Sequence, residues 1–283
     1  MKSTNGKEIS VMKHFTLCPF PEYPDCTLTA YLHDQSPELQ ITARRTVIVC
    51  PGGGYAFLSD REAEPIALQF LAQGFNVFIL RYSICENAAN NRPLIQACKT
   101  VKYLREHAAE YDVDPNYVFI NGYSAGGHLS ASCGTMFDLP EIRVAVGCED
   151  NDAHRPTGTV LGYPVIASNH YGHAGSFNLL CGSPNATAEQ RAYYSVDKHV
   201  NAKTAPAFIW HTAEDGLVPV QNSLVYAQAL ADHGVSFELH VYPYGPHGLA
   251  LCNKETSYGQ PVLERPECER WILDAGRWMM NFQ

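Results

Sequence analysis

Gly122-Tyr123-Ser124-Ala125-Gly126 is a G-x-S-x-G pentapeptide lying between an apolar run, Tyr117 to Ile120, and a run of small residues from Ala125 to Gly134. That order predicts a buried strand, a tight turn carrying Ser124, and a helix that leaves at once. Such a turn lifts the hydroxyl clear of the sheet edge and aims the first helical N–H groups at whatever it attacks. The pentapeptide alone is common in loops; its setting makes Ser124 a candidate nucleophile. A serine hydroxyl needs a base within hydrogen-bond reach and a carboxylate that fixes the tautomer of the base. Of the 12 histidines, His247 is favoured, because it follows the last strand in the turn-rich Pro243-Tyr244-Gly245-Pro246-His247-Gly248 and can reach over the serine. His211 and His240 lie within strand runs and read as core or face residues, and His128 reads as a packing residue on the serine's helix. His170, His173 and His199 fall in an insertion, where substrate contact stays open. For the orienting acid, Asp215 follows a strand end and precedes Gly216, with Glu214 beside it as the alternative.

A second cluster is Pro51-Gly52-Gly53-Gly54-Tyr55, directly after the apolar Thr46-Val47-Ile48-Val49-Cys50. Three glycines at a strand end strip every Cβ from a patch of backbone, so its N–H groups can approach a ligand closely. A lone glycine triplet reads as a surface turn. Paired with a G-x-S-x-G strand downstream, it reads as the loop that lends an N–H to an oxyanion hole.

The elements that must hold these groups are legible from periodicity. Ile9–Leu17 and Thr27–His33 have strand composition around the turn-rich Cys18 to Asp25, and predict an antiparallel edge hairpin. Ser59-Asp60-Arg61-Glu62 fits a capping box ahead of a helix with Ile66, Ala67, Phe70 and Leu71 on one face. Asn76–Leu80 is the next strand and Arg92–Tyr111 the next helix. Strands follow at Thr159–Pro164, Ala207–Thr212 and Ser236–Tyr242, with a helix through Leu224, Ala227 and Leu230 and a closing helix from about Pro266 to Met280. This alternation predicts an α/β fold with a mostly parallel, twisted sheet of about eight strands, flanked by helices. Ligands then bind beyond the carboxyl ends of strands, where the glycine triplet and Ser124 both lie. The whole chain, 1–283, reads as one domain, with residues 163–205, rich in Gly, Asn, Ser, His and Tyr, as a short cap inserted over the site.

Composition narrows the function classes. With 46% hydrophobic and 17% charged residues, the chain can bury a sizeable core. A net charge of −9 without a basic face disfavours nucleic acid as a partner and mildly favours a neutral substrate. The 10 cysteines are scattered singly with no C-x-x-C pair, so buried reduced thiols and a reducing compartment are expected, and no metal site is indicated. No apolar run approaches the roughly 20 residues that span a bilayer. A cytoplasmic protein with no membrane partner is the expectation, and the sequence leaves a homo-oligomer open.

Pro51-Gly52-Gly53-Gly54-Tyr55, Gly122 to His128, Asp215-Gly216-Leu217-Val218-Pro219 and His247-Gly248 together resemble the α/β-hydrolase superfamily. More narrowly, the chain resembles small carboxylesterases and acetylesterases related to acetyl-xylan esterases and the bacterial feruloyl-esterase-like (BD-FAE-like) group. The similarity covers about Thr46 to Leu251 and includes the segment Leu161-Gly162-Tyr163-Pro164-Val165. It implies an α/β-hydrolase fold, Ser124 as nucleophile, His247 as base, Asp215 as orienting acid, and N–H groups of Gly53, Gly54 and Ala125 as the oxyanion hole. It implies no cofactor, so a chelator should not inhibit. Relatives of this kind usually carry His before the glycine triplet, where this chain has Pro51, so the hydrogen bonds such a His would make to hold the loop are absent and which glycine N–H points inward stays open.

The expected reaction is hydrolysis of a small-molecule ester through an acyl-enzyme, with acetyl esters of sugars or xylo-oligosaccharides as the substrate class. Tyr55 and Tyr123 beside the motifs, with Tyr163 and Tyr171 in the insertion, are the candidate substrate contacts. Phe177, Tyr193 and Tyr194 add aromatic faces that suit stacking on rings, or simply pack the insertion. An arylformamidase uses the same machinery on a formamide, and a silent hydrolase-fold binding protein is the reading from outside the enzymes. An amidase or peptidase of the prolyl-oligopeptidase type, which the Asp-x-x-Val-Pro loop also resembles, is a rival that is not expected, since 283 residues leave no room for a propeller domain.

Overall fold

A computed structural model describes residues 12–283. The strand-forming runs become β1 (Lys13–Leu17), β2 (Thr27–Leu32), β3 (Arg44–Cys50), β4 (Asn76–Arg81), β5 (Val113–Tyr123), β6 (Thr159–Gly162), β7 (Ala207–Thr212) and β8 (Phe237–Tyr242). They form one 8-stranded sheet in the order β1-β2-β4-β3-β5-β6-β7-β8. β1 pairs antiparallel with β2 and β2 antiparallel with β4, while every other pair is parallel. Of the first predicted strand, Ile9 to Val11 lie outside the described residues.

The helices are α1 (Glu64–Ala72), α2 (Arg92–Glu106), α3 (Ala125–Thr135), α4 (Pro140–Val146), α5 (Ala174–Leu180), α6 (Ala188–Ala192), α7 (Gln221–Asp232) and α8 (Trp271–Met280). The sheet is buried on both faces, and the pleat of β3 shows how. Val47 and Val49 enter a core with Ile66 and Phe70 of α1 and Trp271 and Ala275 of α8. Ile48 and Cys50 point the other way, into a core with Ala97 and Val101 of α2 and Leu129 and Cys133 of α3. The chain leaves β3 toward β4 on one side, while β5 to β8 build outward on the other. That reversal opens a crevice past the carboxyl ends of β3 and β5, where the glycine triplet and Ser124 sit.

Several boundaries differ from the sequence reading. α2 stops at Glu106, five residues before Tyr111, because the chain turns there: Tyr111 N–H returns to His107 O and Asp112 takes a positive φ of 54° before β5 begins. α8 starts at Trp271; the preceding Pro266 to Arg270 forms turns closed by Glu269 N–H to Pro266 O and Trp271 N–H to Cys268 O. Ser59 makes no side-chain cap bond, so Ser59-Asp60-Arg61-Glu62 is not a capping box; Asp60–Glu62 is a 3-10 turn whose carboxylate at 62 turns inward. Residues 163–205 contain the short helices α5 and α6, the latter opened by a capping box between Thr187 and Gln190.

Candidate active site

Ser124 occupies the turn between β5 and α3 with φ 53° and ψ −118°, a backbone conformation that L-residues seldom adopt. The turn closes only because its flanking residues lack side chains. A Cβ on Gly122 would meet Gly126 O at 2.0 Å, and one on Gly126 would meet Cys50 O at 2.1 Å, so α3 lies directly on the ends of β5 and β3. Ser124 is pinned by its own N–H to Gly162 O (3.1 Å) and by Val165 N–H to its carbonyl (3.1 Å).

His247, in the loop after β8, brings Nε2 to 2.8 Å from Ser124 Oγ and Nδ1 to 2.6 Å from Asp215 Oδ2. The carboxylate accepts at Nδ1, so that nitrogen carries the proton and Nε2 is left to accept the serine hydroxyl. Asp215 is fully enclosed and bonded on both oxygens: Oδ1 accepts Leu217 N–H (3.0 Å) and Val218 N–H (2.9 Å), and Oδ2 also lies 3.2 Å from His211 Nε2. Burial alone would push the Asp215 pKa up. The hydrogen bonds from His211 and His247, the charge of a protonated His247 and the Val218 N–H outweigh burial and hold it well below the usual carboxylate range. Glu214 is exposed and accepts Gly245 N–H at 3.2 Å, which leaves Asp215 as the carboxylate on His247.

The glycine loop crosses beside Ser124. Gly53 has φ +131°, and a Cβ there would strike Phe57 O at 2.1 Å, so only glycine fits. Gly52 N–H donates to Glu62 Oε2 (2.8 Å), and Tyr82 OH donates to Pro51 O (2.6 Å). The N–H groups of Gly53 and Gly54 donate to no group among the described residues, and Ala125 N–H belongs to the unpaired first turn of α3. A crevice of about 780 Å³ opens over these groups, lined by Gly53, Gly54, Ser124 and His247, by His173 and Leu179 of the insertion, and by an outward rim of Phe57, Leu217 and Tyr258. The rim residues are 60%, 57% and 78% exposed, enough to offer apolar surface to a ligand in the crevice. A second groove, of about 580 Å³ beside Pro206, Glu238 and Trp278, contains none of the candidate residues.

Residues 35–230 match the BD-FAE family model. The chain belongs to the BD-FAE family. The match takes in β3 through most of α7, with the glycine loop, Ser124 and Asp215, and ends before β8 and His247. The chain is 36% identical over 236 residues, 81% of its length, to Endo-1,4-beta-xylanase B of Butyrivibrio fibrisolvens. It is 31% identical over 242 residues, 84% of its length, to the acetylxylan esterase of Xylanibacter ruminicola. It spans 35% and 45% of the lengths of these two curated relatives. Among solved structures, the acetyl ester-xyloside bifunctional hydrolase of Caldicellulosiruptor lactoaceticus superposes with a TM-score of 0.78 at 31% identity, covering 97% of this chain and 98% of that one. The fold is that of the α/β-hydrolases.

Within this BD-FAE family member, the structure brings Ser124, His247 and Asp215 into one hydrogen-bonded run and sets Gly53, Gly54 and Ala125 beside it. It does not bring the predicted tyrosines to the crevice. Tyr55 is buried with its hydroxyl on His128 Nδ1 (2.9 Å), and Tyr123 is buried against Tyr163 and Trp271. Tyr163 is buried too, donating to Glu62 Oε1 (2.7 Å) with its ring 5.1 Å from that of His247, so it supports the imidazole from behind. Tyr171 lies outside the crevice lining, its ring tilted by 44° against that of His170. Phe177 is in the core, and Tyr193 hydrogen-bonds Asn91 and Glu141, so these rings pack the insertion.

Residues the sequence reading passed over hold the site of this BD-FAE fold together. His211, read as a core residue, donates from Nε2 to Val218 O (2.9 Å) and toward Asp215, while its Nδ1 accepts Ser223 OH (2.8 Å). Its spacing of four from Asp215 across a strand end was the available signal. His128 links three segments: Nδ1 accepts Tyr55 OH from the glycine loop, and Nε2–H donates to Tyr194 O (2.8 Å) in the insertion. His173 lines the crevice, its Nδ1 accepting at the start of α5 from Ser176. Phe57, Leu217 and Tyr258 carry no motif and become notable only once they are seen on the rim.

Proposed function

We propose that this chain is a serine carboxylesterase that removes short acyl groups, acetyl above all, from the hydroxyl groups of sugars such as xylo-oligosaccharides. The observation that carries the reading is the Asp215–His247–Ser124 run of hydrogen bonds at 2.6 and 2.8 Å, opening on a crevice walled by Gly53 and Gly54. Ser124 Oγ attacks the ester carbonyl carbon as His247 Nε2 takes its proton. The carbonyl oxygen becomes an oxyanion facing the N–H groups of Gly53, Gly54 and Ala125, which stabilise the charge that develops only in the transition state. Collapse expels the alcohol oxygen, which receives the proton from His247, and leaves Ser124 acylated. Water then gives a proton to His247 and attacks the acyl carbon, and the proton returns to Ser124 as the acid departs. Asp215 holds the Nδ1–H tautomer throughout and balances the charge on the imidazolium.

Two features favour a small acyl group on a ring-shaped alcohol. On the insertion side, Gly54 and His173 leave little depth, since a Cβ on Gly54 would lie 3.4 Å from His173 Cε1. On the other, Phe57 and Tyr258 offer exposed aromatic surface on which a sugar ring can rest. The acetylxylan esterase of X. ruminicola supports the same direction. All 10 cysteines are unpaired thiols, which supports a reducing, cytoplasmic setting. Among the described residues no helix is long and apolar enough to cross a membrane, and no His, Cys, Asp and Glu cluster is gathered as a metal site.

Specificity is read directly by comparing kcat/KM on acetylated xylo-oligosaccharides, p-nitrophenyl acetate, p-nitrophenyl octanoate and N-formylkynurenine. Acetyl esters should lead the set. Preference for the octanoate, or for the formamide, would replace the proposal with a lipase-like or an arylformamidase reading.

A further inference from the structure

The chain lacks the histidine that would precede a glycine triplet, so the loop that must present N–H groups to an oxyanion needs some other anchor. Glu62 lies beneath it. Its side chain comes from the Asp60–Glu62 turn, is 3% exposed, and meets a hydrogen-bond donor at each oxygen. Oε2 accepts Gly52 N–H at 2.8 Å, and Oε1 accepts Tyr163 OH at 2.7 Å. The Tyr163 hydroxyl oxygen in turn accepts Ala250 N–H (2.9 Å), three residues past His247, and the Tyr163 ring meets the His247 ring edge-on at 5.1 Å. The neighbouring Arg61 donates from one terminal nitrogen to Gly248 O (3.0 Å) and Thr256 O (2.7 Å).

A buried carboxylate is a costly way to fill space, and an apolar side chain would stabilise the fold at least as well. What a carboxylate does, and an apolar group does not, is accept from two donors on different loops at once. We propose that Glu62 is a positioning residue for the esterase reaction: it draws Gly52 N–H away from the crevice so that Gly53 and Gly54 present theirs to the oxyanion, and through Tyr163 it ties that loop to the one carrying His247. The spacing leaves no slack. A Cβ on Gly52 would sit 2.6 Å from Glu62 Oε2 and 3.0 Å from Ser124 Cβ, so displacement of the carboxylate is felt one residue from the nucleophile. This inference rests on the esterase reading above.

The test is Glu62→Gln in the full chain. Glutamine keeps the volume but has one acceptor oxygen and one NH2 group, so it cannot accept from both Gly52 N–H and the Tyr163 hydroxyl, and one of the two contacts is lost or reversed. On p-nitrophenyl acetate kcat should fall about 10- to 100-fold, less than the loss of an oxyanion donor itself, while KM moves less than about 3-fold. The inhibition constant of a trifluoromethyl ketone, whose adduct with serine carries the oxyanion, should rise by the same factor as kcat falls. Hydrogen exchange of the peptide covering 51–57 should quicken. A merely structural glutamate would not link the ketone's affinity to kcat in this way. If Glu62→Gln does not fold, Glu62→Asp, too short to span both donors, is read by the same criteria. A folded variant with wild-type kcat, a loss confined to KM, or ketone affinity and loop exchange that stay unchanged would overturn the proposal. Failure of the esterase reading looks different: wild-type protein inert toward p-nitrophenyl acetate, with the exchange difference at 51–57 still present.

Discussion

At the scale of single residues, the candidate catalytic positions were legible because each stands where a strand ends among glycines and prolines: Ser124 between Gly122 and Gly126, Asp215 before Gly216, and His247 between Pro246 and Gly248. Backbone chemistry there is local, so sequence records it. The direction in which a large side chain points is set by packing from distant segments, and this is why Tyr55, Tyr123 and Tyr163 read as substrate contacts yet face the core. Glu62 was misread for the same reason: Ser59 to Glu62 satisfies a local capping pattern, but the donors that claim its carboxylate come from Gly52 and Tyr163. His128 gives a titration test at this scale. Burial lowers its pKa from 6.5 to about 4, against a smaller upward pull from the Tyr194 carbonyl. Between those values the unfolded chain binds the proton and the folded chain does not. The neutral imidazole therefore contributes stability that is complete above pH 6.5 and drains away as pH falls toward 4, on the order of 3 kcal/mol in all. Denaturant unfolding at pH 7 and pH 4.5 should show wild type losing more stability than His128→Gln. Equal losses would mean that His128 is not held neutral.

At the scale of elements, the alternation of strand and helix emerged from periodicity alone, and every strand predicted within the described residues is present. Helix ends and the insertion were less legible. α5 and α6 are 7 and 5 residues long, too short for a periodic face to stand out, and the Thr187–Gln190 capping box was the only local signal of α6. What the elements demand of one another is clearest where α3 crosses β3. A methyl group at 126 would lie 2.1 Å from Cys50 O and 2.5 Å from Pro51 O, both backbone atoms that cannot rotate away. Gly126→Ala should therefore cost about 3 kcal/mol or more in denaturant unfolding, beyond the usual range for overpacking. A loss below about 1 kcal/mol would mean that α3 can slide along the sheet, and that Ser124 is less firmly placed than its contacts indicate.

At the scale of the whole molecule, composition pointed to a large core, and the sheet supplies it on both faces, with Trp210 and Trp271 stacked at 4.9 Å on one of them. Composition also predicted buried thiols. Cys98 and Cys133 share a thiol–thiol hydrogen bond at 3.7 Å between sulfurs rather than a disulfide, and all 10 cysteines are free thiols. Cys18 is exposed, Cys85 and Cys181 are half-buried, and the remaining seven are buried. Native protein should therefore react with Ellman's reagent at no more than three thiols, and guanidine-unfolded protein at all 10. Fewer than 10 after unfolding without reductant would reveal a disulfide. The convergence of Ser124, His247 and Asp215 from three strand ends is likewise a property of the whole fold, and the central claim depends on it. It is tested most directly by treating native protein with a fluorophosphonate and mapping the adduct by peptide mass spectrometry, with Ser124→Ala alongside. The adduct should form on Ser124 alone and vanish in Ser124→Ala, whose turnover of p-nitrophenyl acetate should drop by on the order of 10⁴ to 10⁶. A wild-type protein that takes up no probe at Ser124, or a Ser124→Ala variant that keeps wild-type turnover, would contradict the account.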